Sequence, residues 1–181
     1  MKTINTEGQT QWFVMRDLKR SNAKLPAYKM LMEEKIELFV PMKWQLVIRA
    51  GKRVRMEVPF MQDLLFVRDT RLHLTPIVDR TLTLQYRWLK GTYREPMVVP
   101  DKEMERFIFA ARSSSEPKYY LPEEITPEMY GRKILIVGGQ LDGYEGYLLT
   151  TRGSKVKRLL VELQGFLAVG VEVNPEYIQL I

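Results

Sequence analysis

The stretch KILIVGGQLDGYEGYLL (133–149) joins an apolar run, a segment holding Gly138, Gly139, Gly143 and Gly146, and a second apolar run. Glycine serves both a phosphate cradle and a turn between strands, because it admits close backbone approach and positive φ. The residues between the glycines separate these uses. A Walker-type loop carries Lys and then Ser or Thr directly after its second glycine. Here Gly143 is followed by Tyr144 and Glu145, and a carboxylate at that point repels phosphate. The dinucleotide-binding pattern needs a strand-to-helix transition, and no helical periodicity follows. Asp142 and Glu145 offer too few oxygens for a calcium loop. The stretch reads as strand, turn, strand.

Its surroundings extend that reading. ILIV, YLLTT, RLLVEL, LAVGVEV and YIQLI are separated by glycine- and polar-rich turns, which predicts a small five-stranded barrel over 131–181. Upstream, SSSEPKYYLPEEITPEMY (113–130) has a serine run, three prolines and an acidic excess, the composition of an interdomain linker. The block 1–112 is patterned differently. QWFVMR (11–16) and DLLFVR (63–68) read as buried strands. Ser21 and Asn22 are candidate caps for a helix whose Leu25, Tyr28 and Met32 share a face, with Pro26 in its first turn. KWQLVIRAGKRVRMEV (43–58) alternates on both sides of a turn at Ala50, Gly51 and Lys52. That turn predicts a hairpin with Trp44, Leu46, Ile48, Val54, Met56 and Val58 on one apolar face. TRLHLTPIVDR (70–80) is a short helix interrupted at Pro76. PDKEMERFIFAAR (100–112) is a firmer one, with Met104, Phe107, Ile108 and Ala111 together. The expected class is α+β, helices packed on an antiparallel sheet, followed by the barrel.

Composition narrows the chemistry. Cysteine is absent and His73 is the single histidine among 181 residues, so thiolate catalysis and multi-histidine metal sites are excluded. No cofactor is implied. Adjacent acids such as Glu33 with Glu34, or Glu123 with Glu124, diverge on any helix and make no general acid and base pair. The N-terminal segment lacks the apolar core of a signal peptide and no run is long enough to span a bilayer, so the expected compartment is the cytoplasm. The net charge of +6 is uneven. Residues 1–112 hold 21 Lys and Arg against 13 Asp and Glu, residues 113–130 hold 1 against 4, and residues 131–181 hold 6 against 5, giving +8, −3 and +1. A basic N-terminal block suits a polyanionic partner; a solvated surface is the alternative.

The C-terminal block resembles the KOW module, with Gly131, Gly139 and Gly146 at that pattern's glycine positions. The N-terminal block resembles the polymerase-binding domain of NusG-type transcription elongation factors through WFVMR (12–16), the Gly51 hairpin, VPFMQDLLFV (58–67), WLKG (88–91) and PMVVPDKEMERF (96–107). One turn departs from the family: Met61, Gln62, Asp63 and Leu64 stand where Phe-Pro-Gly-Tyr is usual. That departure resembles the specialised antiterminator paralogues of surface polysaccharide operons. The resemblance implies a non-enzymatic, monomeric factor that binds the clamp helices of the largest RNA polymerase subunit and opposes pausing or termination. The implied polymerase contacts are Leu64, Phe66, Trp12 and Phe13, for which core packing is the alternative. His73 and Thr75 stand at a His-Thr-Thr contact motif whose middle residue is Leu74 here. Arg16, Lys19, Arg20 and Lys24 are the implied contacts to non-template DNA, and Arg49, Lys52, Arg53 and Arg55 form a second basic patch. Leu141 and Tyr144 occupy positions where relatives expose apolar groups to a ribosomal protein or termination factor. Two other classes stay open: a KOW-type RNA-binding or ribosome-associated protein, and an enzyme built on a carboxylate-lined pocket.

Overall fold

The computed structural model describes residues 7–19, 25–150, 152–163 and 165–181. In chain order the elements are β1 (Thr10–Asp17), α1 (Ala27–Glu33), β2 (Glu37–Phe39), β3 (Met42–Arg49), β4 (Lys52–Pro59), β5 (Leu65–Thr70), α2 (Arg71–Arg80), β6 (Leu84–Tyr86), β7 (Val98–Val99), α3 (Asp101–Ser113), β8 (Lys118–Tyr120), β9 (Tyr130–Ile136), β10 (Glu145–Leu149), β11 (Arg158–Leu163), β12 (Leu167–Glu172) and β13 (Ile178–Leu180). They cluster into two compact units, Met1–Met42 with Val58–Asp101, and Lys43–Glu57 with Lys102–Ile181. The architecture is α+β, as the sequence pattern implies.

The first unit is an antiparallel sheet ordered β2-β5-β1-β6, with β7 also pairing β1. Strand β1 lies inside it, so its apolar run is buried on both faces. Phe13 and Met15 pair with Val67 and Leu65, and pack with Leu31 of α1 and Leu74 and Ile77 of α2. Consecutive strand residues point oppositely, which puts Trp12, Val14 and Phe66 on the other face. Helix α1 is shorter than expected and rotated. Ala27 and Leu31 face inward, whereas Met32 is exposed. The predicted caps Ser21 and Asn22 lie outside the described residues. The observed cap is non-local: the buried Asp17 carboxylate at the end of β1 accepts the Ala27 N–H (2.6 Å) and the Lys19 N–H (3.0 Å). Helix α2 runs unbroken through Pro76.

The second unit holds a six-stranded sheet ordered β13-β9-β10-β11-β12-β8. The five strands expected beyond residue 131 are all present. A sixth, β8, comes from the segment read as linker, where Tyr119 pairs with Val169. The glycines at the module positions are set by crowding. A Cβ on Gly131 would lie 2.5 Å from Leu148 O, and one on Gly146 would lie 2.6 Å from Leu160 O. Nearby, the Tyr130 hydroxyl donates to Glu162 Oε1 at 2.5 Å. That bond, with some burial, pushes its pKa up to about 12.

The β3–β4 ribbon corrects the sequence reading. Ala50 and Gly51 both have positive φ (47° and 74°), a two-residue turn between Arg49 and Lys52. The same register continues to the ribbon's base, where Phe60 N–H donates to Pro41 O (2.8 Å). Leu46 therefore opposes Arg55. A turn shorter by one residue flips one strand's side chains to the other face. Trp44, Leu46 and Ile48 share their face with Arg53 and Arg55, and Val54, Met56 and Val58 lie on the reverse. The Arg55 guanidinium sits 4.8 Å from the Trp44 ring centroid, as this register requires. Because the native chain lacks cysteine, cross-linking tests the pairing cleanly. Leu46→Cys with Arg55→Cys is expected to oxidise to an intramolecular disulfide, detected by mass spectrometry, and Leu46→Cys with Met56→Cys is not.

Candidate functional site

In the first unit the implied polymerase contacts are interior residues. Leu64 is only 3% exposed, and Trp12, Phe13 and Phe66 are buried as deeply. Alternation also separates them. Trp12, Leu64 and Phe66 lie on one face with Phe39, whose ring is 6.4 Å from that of Phe66. Phe13 belongs to the opposite, helix-covered face, where its ring meets Tyr86 edge-on at 5.5 Å. The turn that departs from the family is integrated locally. Asp63 receives the Arg16 guanidinium at 3.1 Å, and its carbonyl accepts the Asp17 N–H at 3.2 Å.

Thr70 ends β5 and caps α2, its hydroxyl accepting the His73 N–H at 3.2 Å. This fixes His73 on the first turn, exposed, with Nδ1 2.6 Å from Asp69 Oδ2. Leu74, the residue that interrupts the family's tripeptide, is fully buried in the core. Thr75 is half-buried and lies 3.4 Å from the Tyr86 hydroxyl. Burial raises the pKa of Tyr86, with its contact to Thr75 acting the other way. His73 and Thr75 thus diverge, and His73 alone presents a polar group outward.

The two described residues of the basic cluster are committed to structure. Arg16 is ion-paired, and the Lys19 ammonium donates to Leu25 O. Arg20 and Lys24 lie outside the described residues. The ribbon offers more accessible charge: Arg49, Lys52 and Arg53 are exposed, whereas Arg55 pairs with Glu116.

In the second unit, Leu141 is a correction, because the turn that was expected to display it buries it to 6% exposure. Gly143 N–H donates to Ile136 O (2.8 Å) and Tyr144 N–H to Leu141 O (3.0 Å), drawing the loop inward. Tyr144 is half-buried against α3. Its ring stacks on Phe109 at 6.1 Å and lies under the Arg106 guanidinium at 5.0 Å, and its hydroxyl donates to Arg106 O at 3.2 Å. Burial raises its pKa, and the Arg106 charge opposes that. Gly138 N–H donates to Asp142 Oδ1 at 2.6 Å, and the ring of Tyr177 covers Gly138 and Gly139. A cavity of about 180 Å³ beside these glycines carries one carboxylate, Glu172. Among the described residues no group of three or more His, Asp or Glu converges on a metal site, and no helix is long and apolar enough to cross a membrane.

The family model described as transcription termination factor nusG matches residues 10–108, more than half of the chain and every strand of the first unit's sheet. The chain belongs to the NusG family. It is a transcription elongation or termination factor by that membership. No curated protein sequence matches it. Among solved structures, one of Thermotoga maritima NusG, concerned with domain interaction, is similar over 96% of this chain and 98% of its own, with 12% identity and a TM-score of 0.49. Leu64, directly before β5, is buried. Leu64→Ala is therefore expected to cost about 2–5 kcal/mol of stability, read from urea unfolding. A neutral result would place this side chain at the surface.

Proposed function

We propose that the protein binds RNA polymerase through its first unit and reduces pausing or termination at particular operons. The observation that carries this is the family match over residues 10–108, which spans the sheet and both helices packed on it. Two features of this chain support the polymerase reading. The face bearing Trp12, Phe39, Leu64 and Phe66 is rich in large apolar side chains, with Arg68 and Glu37 beside them, and suits amphipathic helices that carry some charge. The indole N–H of Trp12 is buried there without an acceptor among the described residues, a cost that a partner's carbonyl would remove. His73, held outward by Thr70 and Asp69, is the polar contact to a second polymerase element. Binding at both points would favour a closed, pause-resistant polymerase through higher affinity for that state.

The operon-specific reading rests on the replaced turn Met61, Gln62, Asp63 and Leu64, which this chain fits by pairing Asp63 with Arg16. The ribbon cations Arg49, Lys52 and Arg53 would take phosphates of the unpaired non-template strand better than Arg16 and Lys19, which are engaged. The KOW unit would bring a ribosomal protein or termination factor near polymerase, raising its local concentration. Tyr144 must leave Phe109 and Arg106 to serve there.

Single-round transcription with purified polymerase tests the proposal. The wild-type protein is expected to raise readthrough of a pause or terminator on its own operon's template. His73→Ala is expected to lower that effect severalfold, a loss of about 1 kcal/mol, with an unchanged unfolding temperature because the side chain is exposed. Increased termination by the wild type would replace antitermination with the opposite activity.

A further inference from the structure

Past β6 the chain continues along β1 into a projecting loop. Arg87 N–H donates to Val14 O (2.9 Å) and Met97 N–H to Arg87 O (2.7 Å). Trp88 bridges Pro96, and Leu89 N–H donates to Glu95 O (2.9 Å). Three successive cross-links thus carry the sheet's rigidity out to residues 90–94. At the tip Arg94 adopts a left-handed φ of 50°, disfavoured for a residue with a Cβ, and the Arg71 guanidinium donates to its carbonyl at 3.4 Å.

What this framework displays is unusual for a surface. Tyr93 is 90% exposed, more than any other aromatic residue among those described, and Trp88 is also exposed. Around them stand Arg71, Arg87, Lys90 and Arg94, and from 87 to 95 Glu95 is the only acid. The Arg94 guanidinium lies 5.9 Å from the Tyr93 ring. Flat apolar rings alternating with cations match a chain of flat apolar bases alternating with phosphates. An acidic peptide would use the cations and leave the rings in water. A duplex hides its base faces and would do the same.

We propose that the loop 87–95 binds an unpaired nucleic-acid strand, with bases stacked on Tyr93 and Trp88 and phosphates held by the surrounding cations. The loop shares no residue with the ribbon cations or with the residues assigned to polymerase, so it is tested without polymerase. Anisotropy of labelled oligo-dT and oligo-U of about 12 nucleotides, within the range one such site covers, is compared with a duplex of equal length. The wild type is expected to prefer the single strands. Tyr93→Ala weakens that binding on the order of tenfold, Tyr93→Phe retains it, and Lys90→Ala with Arg94→Ala flattens its salt dependence. Tyr93 is exposed, so these variants keep the wild-type unfolding temperature. Single-strand affinity unchanged by Tyr93→Ala, loss confined to Arg49→Ala with Lys52→Ala on the ribbon, or equal affinity for duplex overturns the proposal. A preference between oligo-dT and oligo-U identifies which strand is the natural one.

Discussion

The antiparallel pairing of β1 with β5 is the constraint on which the first unit depends. Its register, from Thr10 opposite Thr70 to Met15 opposite Leu65, assigns every apolar side chain of both strands to a face. One face closes over Leu31, Leu74 and Ile77. The other assembles Trp12, Val14 and Phe66. A slip of one residue would exchange the two sets, so burial on both sides holds the register firmly. Function-bearing groups are placed by the same pairing. Thr70 ends β5 and caps α2, which orients His73. The opposite edge of β1 anchors Arg87 and Met97, from which the aromatic loop projects.

The second unit is governed by close approach of backbones. Gly131 and Gly146 sit where carbonyls of neighbouring strands leave no room for a methyl group. The glycine-rich stretch is thus explained by strand packing and by the Tyr177 ring over Gly138 and Gly139, and its N–H groups serve the loop itself. Tyr144 links this loop to α3 through a ring stack and a cation–π contact. Aromatic contacts of this kind are individually modest, so a partner with its own aromatic anchor can compete for the ring.

Much of this was legible in the residues. Strong periodicity located α3, the strands of the C-terminal sheet and the buried runs of β1 and β5, because long apolar patterns leave few alternatives. Three features were not. The ribbon register turned on whether Ala50 and Gly51 or three residues form the turn. Alanine seldom adopts positive φ, so Ala-Gly gives a weaker signal than Asn-Gly. The cap of α1 is Asp17, ten residues away, and no local pattern reveals such a bond. The burial of Leu141 depends on its loop folding inward, which composition does not encode. The candidate site was less legible than the fold. Family motifs name positions, but only strand alternation separates Phe13 from Trp12 and only helix geometry turns Thr75 away from His73. The loop around Tyr93 was visible as WLKGTYR, yet its exposure emerged only with the cross-links that hold it out from the sheet.

Direct binding to polymerase is the most economical test of the first unit's role. The full chain is passed over immobilised RNA polymerase, and hydrogen exchange is followed in residues 64–70 with and without the enzyme. Saturable binding is expected, with altered exchange across that strand and no such change in a Trp12→Ala variant that remains folded. Absence of saturable binding, or binding that leaves residues 64–70 untouched while protecting the C-terminal sheet, would contradict that role.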